Sequence, residues 1–159
     1  MLMKSTPASE SKPPSALHLL HRAGQCADEL FAIQIGQSDL TPRQYVVMKA
    51  VASSDEPSQT TLVEKTGIDR STLADIVRRL VSKGLLQRKR TRRDARMYAV
   101  RLTDKGTAAL KAADPAARVT DERLLSALAP SQRDGFIDAL RRVIEQLSAA
   151  NTQSRPPTR

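Results

Sequence analysis

Residues 66–106 read TGIDRSTLADIVRRLVSKGLLQRKRTRRDARMYAVRLTDKG, and this stretch decides the fold. In its first half, Gly67 is typical of the end of one helix and Asp69 of the cap of the next. The residues after Asp69 place apolar side chains at helical spacing. In its second half, MYAVRL (residues 97–102), the side chains of Tyr98, Val100 and Leu102 alternate with those of the residues between them. This period of two predicts a strand paired with residues 85–91. Two helices joined by a short turn and followed by a β-hairpin form a winged helix. The helical stripe predicted to be buried comprises Leu73, Ile76, Val77, Leu80 and Val81.

Positive charge is concentrated in the same stretch. Between residues 70 and 101 the chain has eleven Lys and Arg residues and two acids, Asp75 and Asp94. The remainder has 15 basic and 15 acidic residues, so the net charge of +9 lies in the predicted winged helix. Like charges repel one another in a compact fold, so this concentration indicates a polyanionic partner, double-stranded DNA. The alternative is a solvated face, although such faces normally mix both signs.

The predicted second helix of the pair has the chemistry of a DNA recognition helix, which reads base edges with side chains near its N-terminal half. The side chains expected there are Ser71, Thr72, Asp75 and Arg78, with Arg70 and Arg79 nearer the phosphates. The hairpin adds Arg90, Arg92, Arg93 and Arg96, of which the last three can reach a minor groove. Asp75 could accept a hydrogen bond from cytosine. We favour a role in holding Arg78 or Arg79, because phosphates repel a free carboxylate.

Helices are predicted on both sides of the winged-helix stretch. Thr41 is an N-cap, Pro42 takes the first helical position and Gln44 completes a capping box. Thr103 caps a later helix, which we expect Pro115 to kink or break, because proline removes a backbone donor and clashes with the preceding turn.

The first and last helices carry apolar stripes that have no partner in the winged helix. The stripes comprise Leu17, Leu20, Ala27, Phe31 and Ile35, and Phe136, Leu140, Val143, Ile144 and Leu147. A helix buries such a stripe against another element, which predicts a homodimer with interlaced ends. The predicted organisation is a disordered arm (1–14), one mainly α winged-helix domain (15–150) and a disordered tail (151–159). Within the domain, dimerisation helices occupy 15–38 and 103–150, and the DNA-binding core occupies 41–102 with the wing at 86–102.

Composition narrows the class of protein. No stretch approaches the roughly 18 apolar residues of a membrane helix, and no signal peptide is apparent, so we expect a cytoplasmic protein without a membrane partner. There is no glycine-rich phosphate loop, serine elbow or carboxylate pair beside a histidine, so we expect neither an enzyme nor a cofactor. His18 and His21 supply two ligands where zinc needs three or four, so we expect no metal.

The residues from Gly67 to Gly106 resemble the core signature of the multiple-antibiotic-resistance regulator (MarR) family. The matching elements are the Asp-Arg-Ser-Thr helix start, the RL..KGL exit, the Asp-Ala-Arg wing turn and the LT..G entry to the next helix. The resemblance covers about residues 15–148. It implies a homodimeric winged-helix repressor that leaves a pseudo-palindromic operator when a small molecule binds, with Arg96 as the minor-groove arginine of the wing. The sequence departs from the family at Ala129, where a capping residue often begins the last helix.

The resemblance also implies an effector, often a phenolic or aromatic carboxylate bound between the dimer helices and the winged helix. The pocket walls would then include His18, His21, Arg22 and Phe31 of the first helix and Tyr45 and Met48 of the second. Arg22 or His21 would bind the acid. HLLHRAGQCADELFAIQIG, residues 18–36, resembles a branch that senses aromatic acids or their coenzyme A thioesters. The histidines have an alternative role in interfacial packing.

Two other functions are compatible with the residues. Cys26 is the single cysteine, and a redox-responsive regulator of the same fold would act through it. An architectural protein would bind DNA by charge alone, without base-reading side chains. The sequence does not identify the operator, the regulated genes or the effector, nor whether the protein represses or activates.

Overall fold

The structure is a computed structural model that describes residues 14–38, 40–92 and 98–153, with side chains through residue 149. In this part of the chain the elements are six helices and a two-stranded antiparallel sheet. The helices are α1 (Ala16–Ile35), α2 (Pro42–Ala52), α3 (Gln59–Thr66), α4 (Arg70–Ser82), α5 (Asp104–Ser126) and α6 (Pro130–Gln153). The strands are β1 (Leu86–Arg90) and β2 (Tyr98–Leu102). The predicted winged helix is confirmed.

Short polar side chains fix where the helices begin. Thr41 accepts a hydrogen bond from the Gln44 backbone, and the Gln44 side chain accepts one from Thr41, which completes the predicted capping box. Asp69 and Thr103 cap α4 and α5 in the same way, by accepting backbone N–H groups of the first turn. Gly67 ends α3 in the left-handed conformation at φ 67°, which glycine adopts without a Cβ clash.

One aliphatic core holds the winged helix together. Its fully buried side chains are Val47, Met48, Leu62, Leu73, Val77 and Leu80. The hairpin closes the core with Leu86 and Val100. Val81 was predicted to belong to the buried stripe of α4, but its side chain is exposed. The side of α4 that packs on the core is occupied by Leu73, Ile76, Val77 and Leu80. Val81 lies at the edge of this side and faces solvent.

The hairpin is joined to the helix-turn-helix through β2. The strands pair in register from Leu86 opposite Leu102 to Arg90 opposite Tyr98. On its other side, Val100 donates a 2.9 Å backbone hydrogen bond to the carbonyl oxygen of Pro57, in the loop before α3. The base of the wing is therefore fixed to the loop that precedes α3. The wing tip, residues 93–97, lies outside the described residues.

α5 runs without interruption through Pro115, so the expected break is wrong. Proline leaves the carbonyl of Lys111 without its helical donor, but Pro115 and Lys111 are both exposed and water can supply a donor. The adjacent residues Ala113 and Ala116 are buried against the rest of the chain. Tertiary packing on both sides of the proline therefore keeps the helix continuous.

The two terminal helices leave apolar side chains uncovered. On α1, Phe31 is buried, whereas Leu17 is 80% exposed. On α6, Ile144 and Leu147 are 63% and 60% exposed. At the start of α6 the side chain of Gln132 accepts the backbone N–H of Ala129, which is one half of a capping box. α6 continues to Gln153, past the residue where the tail was predicted to begin. None of the described helices combines the length and apolar character of a membrane span.

Candidate nucleic-acid interface

The N-terminus of α4 presents polar side chains on a rigid scaffold. Asp69 accepts hydrogen bonds from the Thr72 backbone at 2.9 Å and from the Ser71 hydroxyl at 2.6 Å. These bonds, above all the one from Ser71, hold the pKa of Asp69 well below its usual range. Arg70 and Ser71 are exposed, and Thr72 is half-buried. Ser71 therefore donates to Asp69 and keeps its lone pairs available as acceptors.

Asp75 organises the next turn of the same face. It forms an ion pair with Arg78 and a second one with Arg79, whose Nε lies 2.7 Å from Asp75 Oδ2. The hydrogen bond from Arg78, with the charges of both arginines, lowers the pKa of Asp75. The expectation that Asp75 would hold one of these arginines is confirmed, and it holds both. Each guanidinium remains largely exposed, so an ordered pair of cations lines this face of α4.

The wing continues the cationic surface. The Arg90 guanidinium lies 5.8 Å from the centre of the Tyr98 ring, a cation–π contact that restrains both side chains. Arg92 has an 85% exposed side chain. Arg93 and Arg96, which were also predicted to contact DNA, lie outside the described residues, as does Asp94.

Glu56 is a functional candidate that the sequence did not reveal. Its side chain accepts the Arg92 backbone N–H at 3.0 Å and forms an ion pair with Arg101. Only 13% of the Glu56 side chain is exposed, and its backbone has a positive φ of 46°. Non-glycine residues hold such a conformation when surrounding contacts impose it. Arg101 is thereby neutralised at the base of the wing. The sequence prediction counted acids only between residues 70 and 101, so it missed this partner.

Two of the predicted effector-binding residues lie together. The rings of Phe31 and Tyr45 are 5.4 Å apart at 46°. The Tyr45 hydroxyl and Lys49 Nζ each donate to Asp114 Oδ1 at 2.8 Å, which joins α2 to α5. The hydrogen bond from Lys49, then that from Tyr45, lowers the pKa of Asp114, and burial raises the pKa of Tyr45. Beside Tyr45 and Lys49 lies an open cavity of about 350 Å³.

The other predicted effector residues are not brought to this place within one chain. Met48 is fully buried in the core of the single chain, and its place in a pocket wall stays a prediction. His18, His21 and Arg22 are exposed on the first half of α1. At 1.5 Å per residue, His21 lies about 15 Å along the helix from Phe31.

Neither a metal site nor a disulfide is formed by the described residues. No cluster of three or more metal-binding side chains occurs among them. Cys26 is an exposed free thiol on α1.

Comparison with known proteins gives one consistent result. The sequence profile of the MarR family matches residues 38–97. The transcriptional repressor NicR of Pseudomonas putida is 33% identical over 128 residues, covering 80% of this chain and 81% of NicR. BpsR of Bordetella bronchiseptica, whose DNA binding is regulated by 6-hydroxynicotinic acid, is 30% identical with a TM-score of 0.76, covering 87% of this chain and 97% of that chain. The repressor CouR, in a structure bound to a 23-mer DNA duplex, is 28% identical with a TM-score of 0.73, covering 81% of this chain and 92% of the CouR chain.

Proposed function

This chain belongs to the MarR family and is a DNA-binding transcriptional regulator; we propose that it is a homodimeric repressor released from a pseudo-palindromic operator by a small aromatic acid. NicR is a repressor, and the DNA binding of BpsR is regulated by an aromatic acid. These relatives support the repressor mode and the effector class.

The observation that carries the proposal is the ordered cationic face of α4. Arg78 and Arg79 are both exposed and both bound to Asp75, so their guanidinium groups are positioned before DNA arrives. A guanidinium held in a fixed orientation can donate two hydrogen bonds to one guanine, which a freely moving surface arginine does less favourably. Ser71, Thr72 and Arg70 extend the face toward the helix N-terminus, and the wing arginines extend it sideways.

The uncovered faces of α1 and α6 support the homodimer. Leu17 and Leu20 on α1 and Phe136, Ile144 and Leu147 on α6 are between 42% and 80% exposed in the single chain. A second copy of the chain would cover these side chains and place two α4 helices about one helical turn of DNA apart, ~34 Å.

The contact of α2 with α5 supports an effector site beside Tyr45. An aromatic carboxylate in the cavity beside Tyr45 would meet the Tyr45 ring, which packs on the buried Phe31, and a cation in Lys49. His18, His21 and Arg22 remain candidates for a site that a partner chain completes.

The test is a fluorescence anisotropy titration of the purified protein on the intergenic DNA upstream of its own gene. We expect binding at least 10³-fold tighter than to a scrambled duplex of equal length, the lower end for specific recognition. Addition of 6-hydroxynicotinic acid, other aromatic acids or their coenzyme A thioesters should release the protein. Equal affinity for both duplexes would contradict the proposal and favour an architectural protein. Specific binding that no compound weakens would contradict the proposed effector class but not the sequence-specific binding of DNA.

Asp75→Asn should reduce specificity more than affinity. The substitution removes a charge that phosphates repel, which strengthens binding to random DNA, and it loosens Arg78, which weakens reading of the operator. We expect the operator-to-random affinity ratio to fall roughly tenfold, about 1.4 kcal/mol. Anisotropy titrations on both duplexes measure this ratio. An unchanged ratio would show that Asp75 does not position a base-reading side chain.

A further inference from the structure

A cationic cleft lies between the helix-turn-helix and the wing, apart from the cationic face of α4. Its volume is about 520 Å³, and it opens between the N-termini of α3 and α4 on one side and the hairpin on the other. Its walls are Gln59, Thr60, Arg70, Arg88, Tyr98 and Val100. Of these residues, only Arg70 was assigned to DNA contact from the sequence.

The hairpin register explains why the strand residues share one wall. Arg88 is paired with Val100, and Arg90 is paired with Tyr98. Directly paired residues and residues two apart lie on one face of a sheet, so these four side chains leave the hairpin on the same face. The backbone hydrogen bond from Val100 to Pro57 holds this face against the start of α3. Arg90 restrains the Tyr98 ring from outside the cleft.

Three polar side chains of the cleft have hydrogen-bond donors without a partner in the part of the chain that the structure describes. The Gln59 amide nitrogen is buried and, among the described residues, no acceptor bonds to it. Neither Arg70 nor Arg88 is paired with a carboxylate in that part of the chain, whereas Arg78 and Arg79 share Asp75 and Arg101 has Glu56. A buried donor without an acceptor is unfavourable unless a ligand or a water molecule supplies one. The last torsion of a glutamine side chain is soft, so this amide can turn toward an acceptor in the cleft.

We propose that this cleft binds one phosphodiester group of the DNA backbone in each protomer. Arg70 and Arg88 supply the charge, and Gln59 supplies a neutral donor whose hydrogen bond forms only when DNA is bound. The site rests on the proposed DNA-binding function and adds a contact that positions α4 without reading sequence. It assigns new roles to Gln59 and Arg88.

The first test compares Arg88→Gln with Lys89→Gln. The two variants remove equal charge from adjacent exposed residues of β1, but Lys89 leaves the opposite face of the hairpin. Arg88→Gln should weaken binding to operator and random duplex by the same factor, on the order of tenfold. It should also reduce the slope of log affinity against log salt by about 0.9 per protomer, ~1.8 for a dimer. Lys89→Gln should change the slope by less than half as much.

Equal effects of the two variants would overturn the site. This comparison also works on random DNA, because a phosphate contact does not depend on sequence. A protein that showed no operator preference would therefore refute the proposed repressor while the phosphate site remained testable.

Gln59→Glu is the second variant. It keeps the shape of the side chain but places a carboxylate beside Arg70 and Arg88. We expect DNA affinity to fall more than tenfold while the thermal unfolding temperature does not fall, since the new carboxylate gains two cationic neighbours. A large loss of thermal stability with unchanged DNA affinity would show that Gln59 is structural and would overturn its role in the site.

Neutral methylphosphonates placed one at a time along the operator identify the source of the phosphate. One substitution in each half-site should weaken the wild type while having little further effect on Arg88→Gln, because both changes remove the same contact. Inorganic phosphate, titrated at constant ionic strength, should not saturate the cleft at millimolar concentration. Saturable phosphate binding that Arg88→Gln abolishes, without a methylphosphonate effect, would assign the cleft to a free anion and overturn the DNA contact.

Discussion

Gly106→Ala should destabilise the folded protein by about 3 kcal/mol or more, the upper range for overpacking. A Cβ atom at position 106 would overlap the carbonyl oxygen of Leu85 and lie 2.8 Å from its carbonyl carbon. This carbonyl cannot move away easily, because the Thr103 backbone N–H donates to it at 3.1 Å where α5 begins. Glycine to alanine within a helix normally stabilises by about 1 kcal/mol, so the expected sign is the reverse of the usual one.

Urea unfolding at one fixed protein concentration measures the effect, since the stability of a dimer depends on concentration. Gly135→Ala is the matched control. Gly135 also lies inside a helix, but no atom lies within 4 Å of a Cβ built there, so stability should rise by about 1 kcal/mol. If both variants changed stability equally, the close approach of α5 to Leu85 would not exist in solution.

Arg78→Ala should weaken operator binding by about 1–3 kcal/mol per half-site and relax the sequence preference there. The arginine reaches outward from the central turn of α4, and its ion pair with Asp75 keeps the guanidinium in place. The loss should be much smaller on a random duplex, because that duplex offers no guanine in register.

Arg79→Ala provides the comparison for Arg78→Ala. Arg79 pairs with the same Asp75 and is similarly exposed, but we expect it to contact phosphate. Its removal should weaken operator and random DNA equally and reduce the salt dependence. Anisotropy titrations of both variants on both duplexes at several salt concentrations separate the two roles. An equal loss on both duplexes for Arg78→Ala would exclude a base-reading role for this residue.

The sequence predicted those features that depend on neighbours within one or two helical turns. Thr41, Asp69 and Thr103 were identified as caps because a capping side chain bonds to a backbone group three residues away. The winged helix followed from the change of period after Gly84. The pairing of Asp75 with Arg78 or Arg79 was expected because phosphates repel a free carboxylate, and these arginines lie three and four residues along the same helix. These predictions are confirmed because local geometry alone determines them.

The errors occurred where local rules competed with packing. A break of α5 at Pro115 was one of two expected outcomes, but buried alanines on both sides keep the helix continuous. Val81 fits the apolar period of α4, yet the core is filled by other positions of the helix.

The sequence by itself determined the winged helix, its cationic character and the uncovered apolar faces of its terminal helices, because charge and periodicity are read along the chain. Only the tertiary structure decided the contacts between distant residues. Tyr45 meets Asp114 69 positions away, and Glu56 meets the Arg92 backbone 36 positions away. Gln59 and Arg88 line one cleft because a hydrogen bond from Val100 to Pro57 places the hairpin against α3. Such contacts depend on how preformed helices and strands pack together. The spacing of residues along the sequence does not specify which distant side chains meet.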